Sequence, residues 1–152
     1  MPFAHYNVAR LKELPGHPAV AEFVDNAPKV NAIAERSPGF VWRLDDAEKT
    51  VGDDVTFQAI SGDPYLAISL SVWESTDALH KFVNKTVHGA FLRRRAEWFL
   101  PWRGPNYVIW PVPEGHQPTL EEGQDRLRQL VDSGATADAF DFAYLAPDDS
   151  RM

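Results

Sequence analysis

The sequence predicts an α+β domain: a ferredoxin-like antiparallel sheet with helices on one face. Two observations carry this. The elements run strand, helix, strand, strand, helix, strand, with further pieces after them. Each strand also has one apolar face and one mixed face, the pattern of a sheet covered by helices on one side. With 152 residues, 44% hydrophobic and 24% charged, the chain suits one globular domain. That domain is assigned to residues 1–146, with a disordered tail over 147–152.

Residues 3–11 alternate. Ala4, Tyr6 and Val8 point one way, and His5 and Asn7 the other, which makes a half-buried strand. Pro15-Gly16 breaks the chain, and Pro18 suits the first turn of a helix. Val20, Phe23, Val24, Ala27, Val30, Ile33 and Ala34 recur at helical spacing. Pro28 falls inside this pattern and is expected to kink or split the helix. After Ser37-Pro38-Gly39, Phe40 to Leu44 reads as a second strand. Residues 45–54 are polar, with a turn at Gly52-Asp53-Asp54; Val55 to Ile60 suits a short extended piece, and Gly62-Asp63-Pro64 turns again.

Tyr65 to Trp73 is the clearest strand. Leu66, Ile68, Leu70 and Val72 make its apolar face; Tyr65, Ala67, Ser69, Ser71 and Trp73 make the other. Ser75 suits a helix N-cap, with Asp77 in the first turn. The helix is expected to reach Phe99, with an irregularity near Thr86, before Pro101 stops it. Asn106 to Val112 is a further strand. Thr119-Leu-Glu-Glu122 has the form of a capping box, opening a helix that buries Leu120, Leu127, Leu130 and Val131 and ends at Gly134. Phe140, Phe142 and Tyr144 alternate, so an extended segment is expected there.

Composition narrows the function. A net charge of -7 disfavours nucleic acid and anionic membrane as partners. The absence of cysteine excludes disulfides, thiolate nucleophiles and thiolate metal sites. The opening Met-Pro-Phe-Ala-His-Tyr-Asn has no basic region followed by an apolar run, and no stretch approaches a membrane span of about 20 apolar residues. A cytoplasmic protein is expected. The five histidines show no His-x-x-x-His spacing, so no metal site is assigned.

Two features suggest a ligand site. His88 to Trp98 reads as one helix, with His88, Phe91, Leu92, Arg95 and Phe99 on one stripe and Arg94 and Trp98 on its neighbour. An arginine in an apolar stripe suits a polar or anionic organic ligand. Arg93 and Glu97 suit a solvated face, with Glu97 pairing to Arg93 or Arg94. The mixed strand faces offer His5, Asn7, Tyr65, Ser69, Ser71 and Trp73, a surface too apolar to leave in water. A second copy of the chain is expected to cover it, with a cavity between.

The run His88…Phe91-Leu92…Arg94-Arg95…Trp98-Phe99 is followed by Val108-Ile109-Trp110, Val112-Pro113, Gly115-His116 and Pro118-Thr119. Together with Asn7-Val8-Ala9-Arg10-Leu11 and Ala139-Phe140, it resembles the DUF3291 family across nearly the whole chain. That family is similar to the dimeric α+β barrel superfamily, which includes the antibiotic biosynthesis monooxygenases. The resemblance implies a homodimer with a cavity over each sheet. Pro111, where a second aromatic would follow Trp110, and Gly123 depart from the pattern.

Three readings fit these residues. The first is a cofactor-independent, monooxygenase-like oxidoreductase acting on a small aromatic or polyketide-like molecule. Such a site needs a base, donors for an oxyanion and a dry aromatic cavity. His88 is the candidate base, because imidazole titrates near neutrality. Asn7 and an indole N–H are the candidate donors, and Arg95 the holder of negative charge. His5, Ser69, Trp73, Arg94, Trp98 and Trp110 are the candidate substrate contacts. The second reading is haem binding or degradation, with His88 and then His5 as ligands and arginines on the propionates. The third is a non-catalytic small-molecule-binding or structural dimer, in which His88 is a core histidine and the tryptophans only pack.

Overall fold

The computed structural model describes residues 1–14, 16–44, 65–85 and 94–145. Four strands form one antiparallel sheet: β1 (Phe3–Arg10), β2 (Phe40–Arg43), β3 (Leu66–Trp73) and β4 (Tyr107–Pro111). Their order is β2-β3-β1-β4, the order of a ferredoxin-like unit. The α+β class and the antiparallel sheet expected from the sequence are present. In register, His5 faces Ser71 and Ile109, and Asn7 faces Ser69 and Tyr107. Pro111 closes an edge strand, where its missing N–H costs no ladder bond.

Helix α1 (Ala21–Arg36) follows a single 3-10 turn at Pro18–Val20, and α2 (Thr76–Lys85) follows β3. Both lie on the sheet face that carries His5, Ser71 and Trp73. Ala34 from α1 and Leu79, Phe82 and Val83 from α2 pack with Trp73 and Ile109 in one buried cluster. This corrects the expected second copy over Trp73 and Ile109: that part of the mixed face is covered by the chain's own helices, while Ser69 stays exposed. Aromatic bulk around Trp73 meets apolar helix stripes, so that part of the surface leaves water within one chain.

The opposite face is also covered. Ala4, Tyr6, Val8, Ile68, Leu70, Val72, Val108 and Trp110 pack with Leu120 and Leu130 of α4 (Leu120–Ser133). A Cβ on Gly123 would lie 2.5 Å from Cδ1 of Tyr6, so only glycine allows α4 to approach β1 this closely. That approach centres the buried stripe on Gly123 and Leu130. It turns Val131, expected in the core, out to 57% exposure. Tyr6 is buried beneath this helix, and burial pushes its phenol pKa up against the lowering effect of a hydrogen bond with Gln124.

Three local expectations are resolved by specific contacts. Pro28 sits inside α1, yet the helix is continuous; packing of Val30, Ile33 and Ala34 holds it across the lost hydrogen bond. Ser75 Oγ accepts from the Ala78 N–H at 3.1 Å, the N-cap of α2. The expected irregularity near Thr86 and the helix over 86–93 lie outside the described residues, and a turn at Arg94 interrupts the run expected to reach Phe99. A one-turn helix α3 spans Arg95–Trp98, and Phe99 then bridges to Leu11. Trp98 packs there with Leu11, Val20 and Phe23 in a third, smaller cluster.

Residue 140 bridges β4, as Phe140 exchanges both backbone hydrogen bonds with Ile109 at 2.7 and 2.9 Å. The expected extended segment stops there. Asp141 Oδ1 accepts from the Tyr144 N–H at 3.0 Å and caps a short helix α5 (Phe142–Leu145). The expected turns and extended piece over 45–64 and the tail over 147–152 lie outside the described residues. Among the described residues, no helix is long and apolar enough to cross a membrane.

Candidate functional site

A cavity of about 70 Å³ opens between the sheet and the two helices that cover it. Its sheet side is formed by His5 from β1, Arg43 from β2 and Ser69, Ser71 and Trp73 from β3. Its helix side is formed by Val30, Asn31 and Ala34 of α1 and Leu79, Phe82 and Val83 of α2. The strand period brings the first set together: His5, Ser69, Ser71 and Trp73 are alternate residues on paired strands.

His5 is the buried polar residue of this region, only 7% exposed, and its ring lies 5.7 Å from that of Tyr107. Burial raises the Tyr107 phenol pKa, while the Phe142 N–H donating to its oxygen at 3.0 Å works the other way. Trp73 stacks on Phe82 at 5.1 Å and meets Phe40 edge-on at 5.5 Å. Its indole N–H donates to Ser71 Oγ at 3.0 Å. A buried imidazole, two serine hydroxyls and an aromatic wall therefore share one pocket. That set can hold a small organic molecule and exchange a proton with it.

Arg43 and Asn31 are members that sequence reasoning missed. The pairing of β2 with β3 shifts register between Phe40 and Trp42. Phe40 consequently packs on the Trp73 side and Trp42 on the Tyr6 side, although simple alternation puts both on one face. Arg43 then stands opposite Ser71 and lines the cavity. Its Nε donates to Glu35 Oε2 at 3.0 Å and its Nη1 to the Leu44 carbonyl at 3.1 Å. The polar stretch after Leu44 carries no signal of that irregularity.

Among the sequence candidates, His5, Ser69 and Trp73 meet at the cavity. Asn7 lies on the same sheet face, one register step beyond His5 and opposite Ser69. Trp110 does not join them. It is fully buried on the opposite face, where its indole N–H donates to Glu122 Oε2 at 2.9 Å. Glu122 Oε1 also pairs with His116 Nε2 at 2.8 Å, so this carboxylate holds the β4–α4 corner. The Glu122 N–H donates to Thr119 Oγ1 at 3.1 Å, the N-cap half of the expected capping box.

Trp98 and Arg94 are also apart from the cavity. Trp98 sits in the cluster around Leu11, and the Arg94 guanidinium lies 4.9 Å from its ring centroid. Arg94 is engaged twice more. It donates to Glu97 at 2.8 and 2.9 Å and to Glu22, at 2.9 Å to Oε2 and by a second bond to Oε1. Its charge clamps α3 to the start of α1 rather than facing a ligand. His88 lies outside the described residues, as does the Arg95 side chain, although Arg95 opens α3.

The His5 pocket does not fit haem. Its volume is well below the roughly 300–1,000 Å³ of sites for drug-sized ligands. Among the described residues, no group of three or more His, Asp or Glu side chains could hold a metal ion.

Among solved structures, the chain is similar to SnoaB, a cofactor-independent oxygenase from Streptomyces nogalater. The two are 14% identical, and the match covers 74% of this chain and 94% of that one with a TM-score of 0.49. No curated protein matches the chain. The family model for a domain of unknown function, DUF3291, matches residues 2–152, and the chain belongs to that family.

Proposed function

We propose that this protein is a cofactor-independent, monooxygenase-like enzyme for a small phenolic or enolisable molecule whose reacting end enters the cavity. The observation that carries the reading is His5, a buried imidazole on a cavity walled by Trp73, Leu79 and Phe82. His5 takes a proton from the phenol or enol, with Ser69 and Ser71 hydroxyls beside it to receive the oxyanion. The anion passes one electron to dioxygen, and the two radicals join through a new C–O bond. The peroxide takes the proton back from His5, and loss of water turns the reacting carbon, CH2 in a ketone or ring CH in a phenol, into a carbonyl, with dioxygen as the only oxidant. Homodimerisation, which the family resemblance implies, belongs to the same proposal and would use surfaces other than the two covered sheet faces.

Oxygen uptake with a panel of small phenols and enolisable ketones tests this. The native protein should consume oxygen and yield a product with the reacting carbon, CH2 in a ketone or ring CH in a phenol, converted to C=O. His5→Gln should lower the rate roughly a hundredfold or more while retaining the melting temperature. Unchanged turnover in that variant would remove His5 as the base. The competing reading is a binding protein without turnover. It is favoured by the Trp73 indole, which donates to Ser71 instead of pointing its N–H at a ligand. Ligand binding without oxygen uptake is its expected signature.

A further inference from the structure

We propose that the Ser71 hydroxyl is the donor that selects a phenol or enol oxygen in the cavity, and that Trp73 is a positioning residue acting through it. This rests on the reading of the cavity as the substrate site. A serine hydroxyl has one hydrogen to donate and two lone pairs that accept, whereas an indole N–H only donates. The Trp73 N–H reaches Ser71 Oγ at 3.0 Å, so this bond runs in one direction only. It occupies a lone pair and turns the Ser71 hydrogen away from the indole. Among the described residues, nothing accepts that hydrogen. The serine is thereby held as a donor toward whatever enters the cavity it lines.

Placement makes this hydroxyl, rather than that of Ser69, the selective one. Along β3 the wall passes from exposed Ser69 through half-buried Ser71 to Trp73, which is 1% exposed and stacked on Phe82. Ser69 marks the mouth, where water competes for its hydroxyl. Ser71 lies deeper, where a hydrogen bond is stronger. Ser71 is also the direct cross-strand partner of His5. Such partners hold their Cβ atoms about 4.5–5.5 Å apart, so one ligand oxygen can touch both side chains. That oxygen must accept from Ser71 and give a proton to His5. When the ligand O–H bond breaks toward His5, the Ser71 O–H stays intact and holds the oxyanion. Phenols and enols meet both demands. An ether has no proton to give, and the nitrogen of an aromatic amine is a poor acceptor. The ring follows its oxygen and extends toward the mouth at Ser69.

Para-nitrophenol and para-nitroaniline separate the possibilities. They are alike in shape and both can donate to His5, but only the phenol brings an oxygen that accepts from Ser71. Each is titrated into 15N-labelled protein, and the Trp73 indole signal is followed by NMR. The phenol should bind at least about tenfold more tightly, the value of one hydrogen bond to a charged group. It should also move the Trp73 indole proton downfield, because a hydroxyl that donates to an anion becomes a better acceptor; the amine should not. Ser71→Ala should lower the preference about tenfold and abolish the shift. Trp73→Phe should shrink the preference, whereas a purely packing role of the indole would weaken both ligands alike. Melting temperatures confirm folding, and the indole shift in native protein carries the Trp73 assignment if Trp73→Phe does not fold. A preference unchanged in Ser71→Ala overturns the Ser71 assignment and leaves the cavity as a site. A preference unchanged in Trp73→Phe, or an indole shift alike for both ligands, overturns the role of Trp73. Failure of para-nitrophenol to bind overturns the assignment together with the cavity reading. Oxygen uptake by native protein and His5→Gln tests the reaction separately.

Discussion

Gly123 and Tyr6 illustrate what a single residue decides here. A glycine inside an exposed helix ordinarily costs about 1 kcal/mol relative to alanine. On propensity alone Gly123→Ala would stabilise α4. The Tyr6 ring reverses the sign, because the atoms an added Cβ would meet include Cγ and Cβ, at 2.7 and 3.0 Å, which cannot swing away. Gly123→Ala should cost about 1–3 kcal/mol by overpacking, measured by urea denaturation. A neutral or stabilising result would show that α4 can lift from the sheet without loss. The sequence marked Gly123 only as a departure from a family pattern; its reason is the distance between two elements, which no local pattern encodes.

At the scale of elements, the Arg94 clamp joins α3 to α1. Hydrogen bonds from Arg94 hold the Glu22 and Glu97 carboxyls below the ordinary glutamate value of 4.5, against a small opposing effect of burial. The same pairing raises the pKa of Arg94, which stays charged throughout. A carboxyl whose pKa is lowered by folding contributes stability above its unfolded pKa and loses it as pH falls through the folded value. The melting-temperature gap between native protein and Arg94→Met should thus be constant above about pH 5 and close progressively below 4.5. A gap that persists unchanged at pH 3 would show that Arg94 acts through its packing on Trp98 instead. The i,i+3 half of this clamp was legible in the sequence as a pairing of Glu97 with a neighbouring arginine. The Glu22 half was not, since its partner is 72 residues away.

At the scale of the fold, the described residues form three apolar clusters joined by one four-stranded sheet. Strand β1 contributes to all of them through its two faces and the Leu11 that follows it. Losing any cluster exposes part of the shared strand, so unfolding should be a single transition. Tryptophan fluorescence, which reports Trp73, Trp98 and Trp110 in separate clusters, should coincide with far-ultraviolet circular dichroism in urea. Two resolved transitions would instead assign the Trp98 cluster to an independently opening unit.

The sequence by itself determined the class of fold. Period-two patterning in β1 and β3, the Ser75 and Thr119 caps and the element order are local properties, and local sterics and hydrogen bonding enforce them. It also determined that His5, Ser69 and Trp73 share a sheet face, because side-chain alternation is a property of any strand. Only the tertiary structure decided what covers that face. Apolar strand faces are equally satisfied by a helix of the same chain or by another copy, and the pattern alone does not distinguish them. It likewise took the tertiary structure to move Trp98, Trp110 and Arg94 away from the cavity and bring Arg43 into it. Those outcomes depend on a register shift, a helix end and a distant carboxylate, each set by packing between elements far apart in sequence.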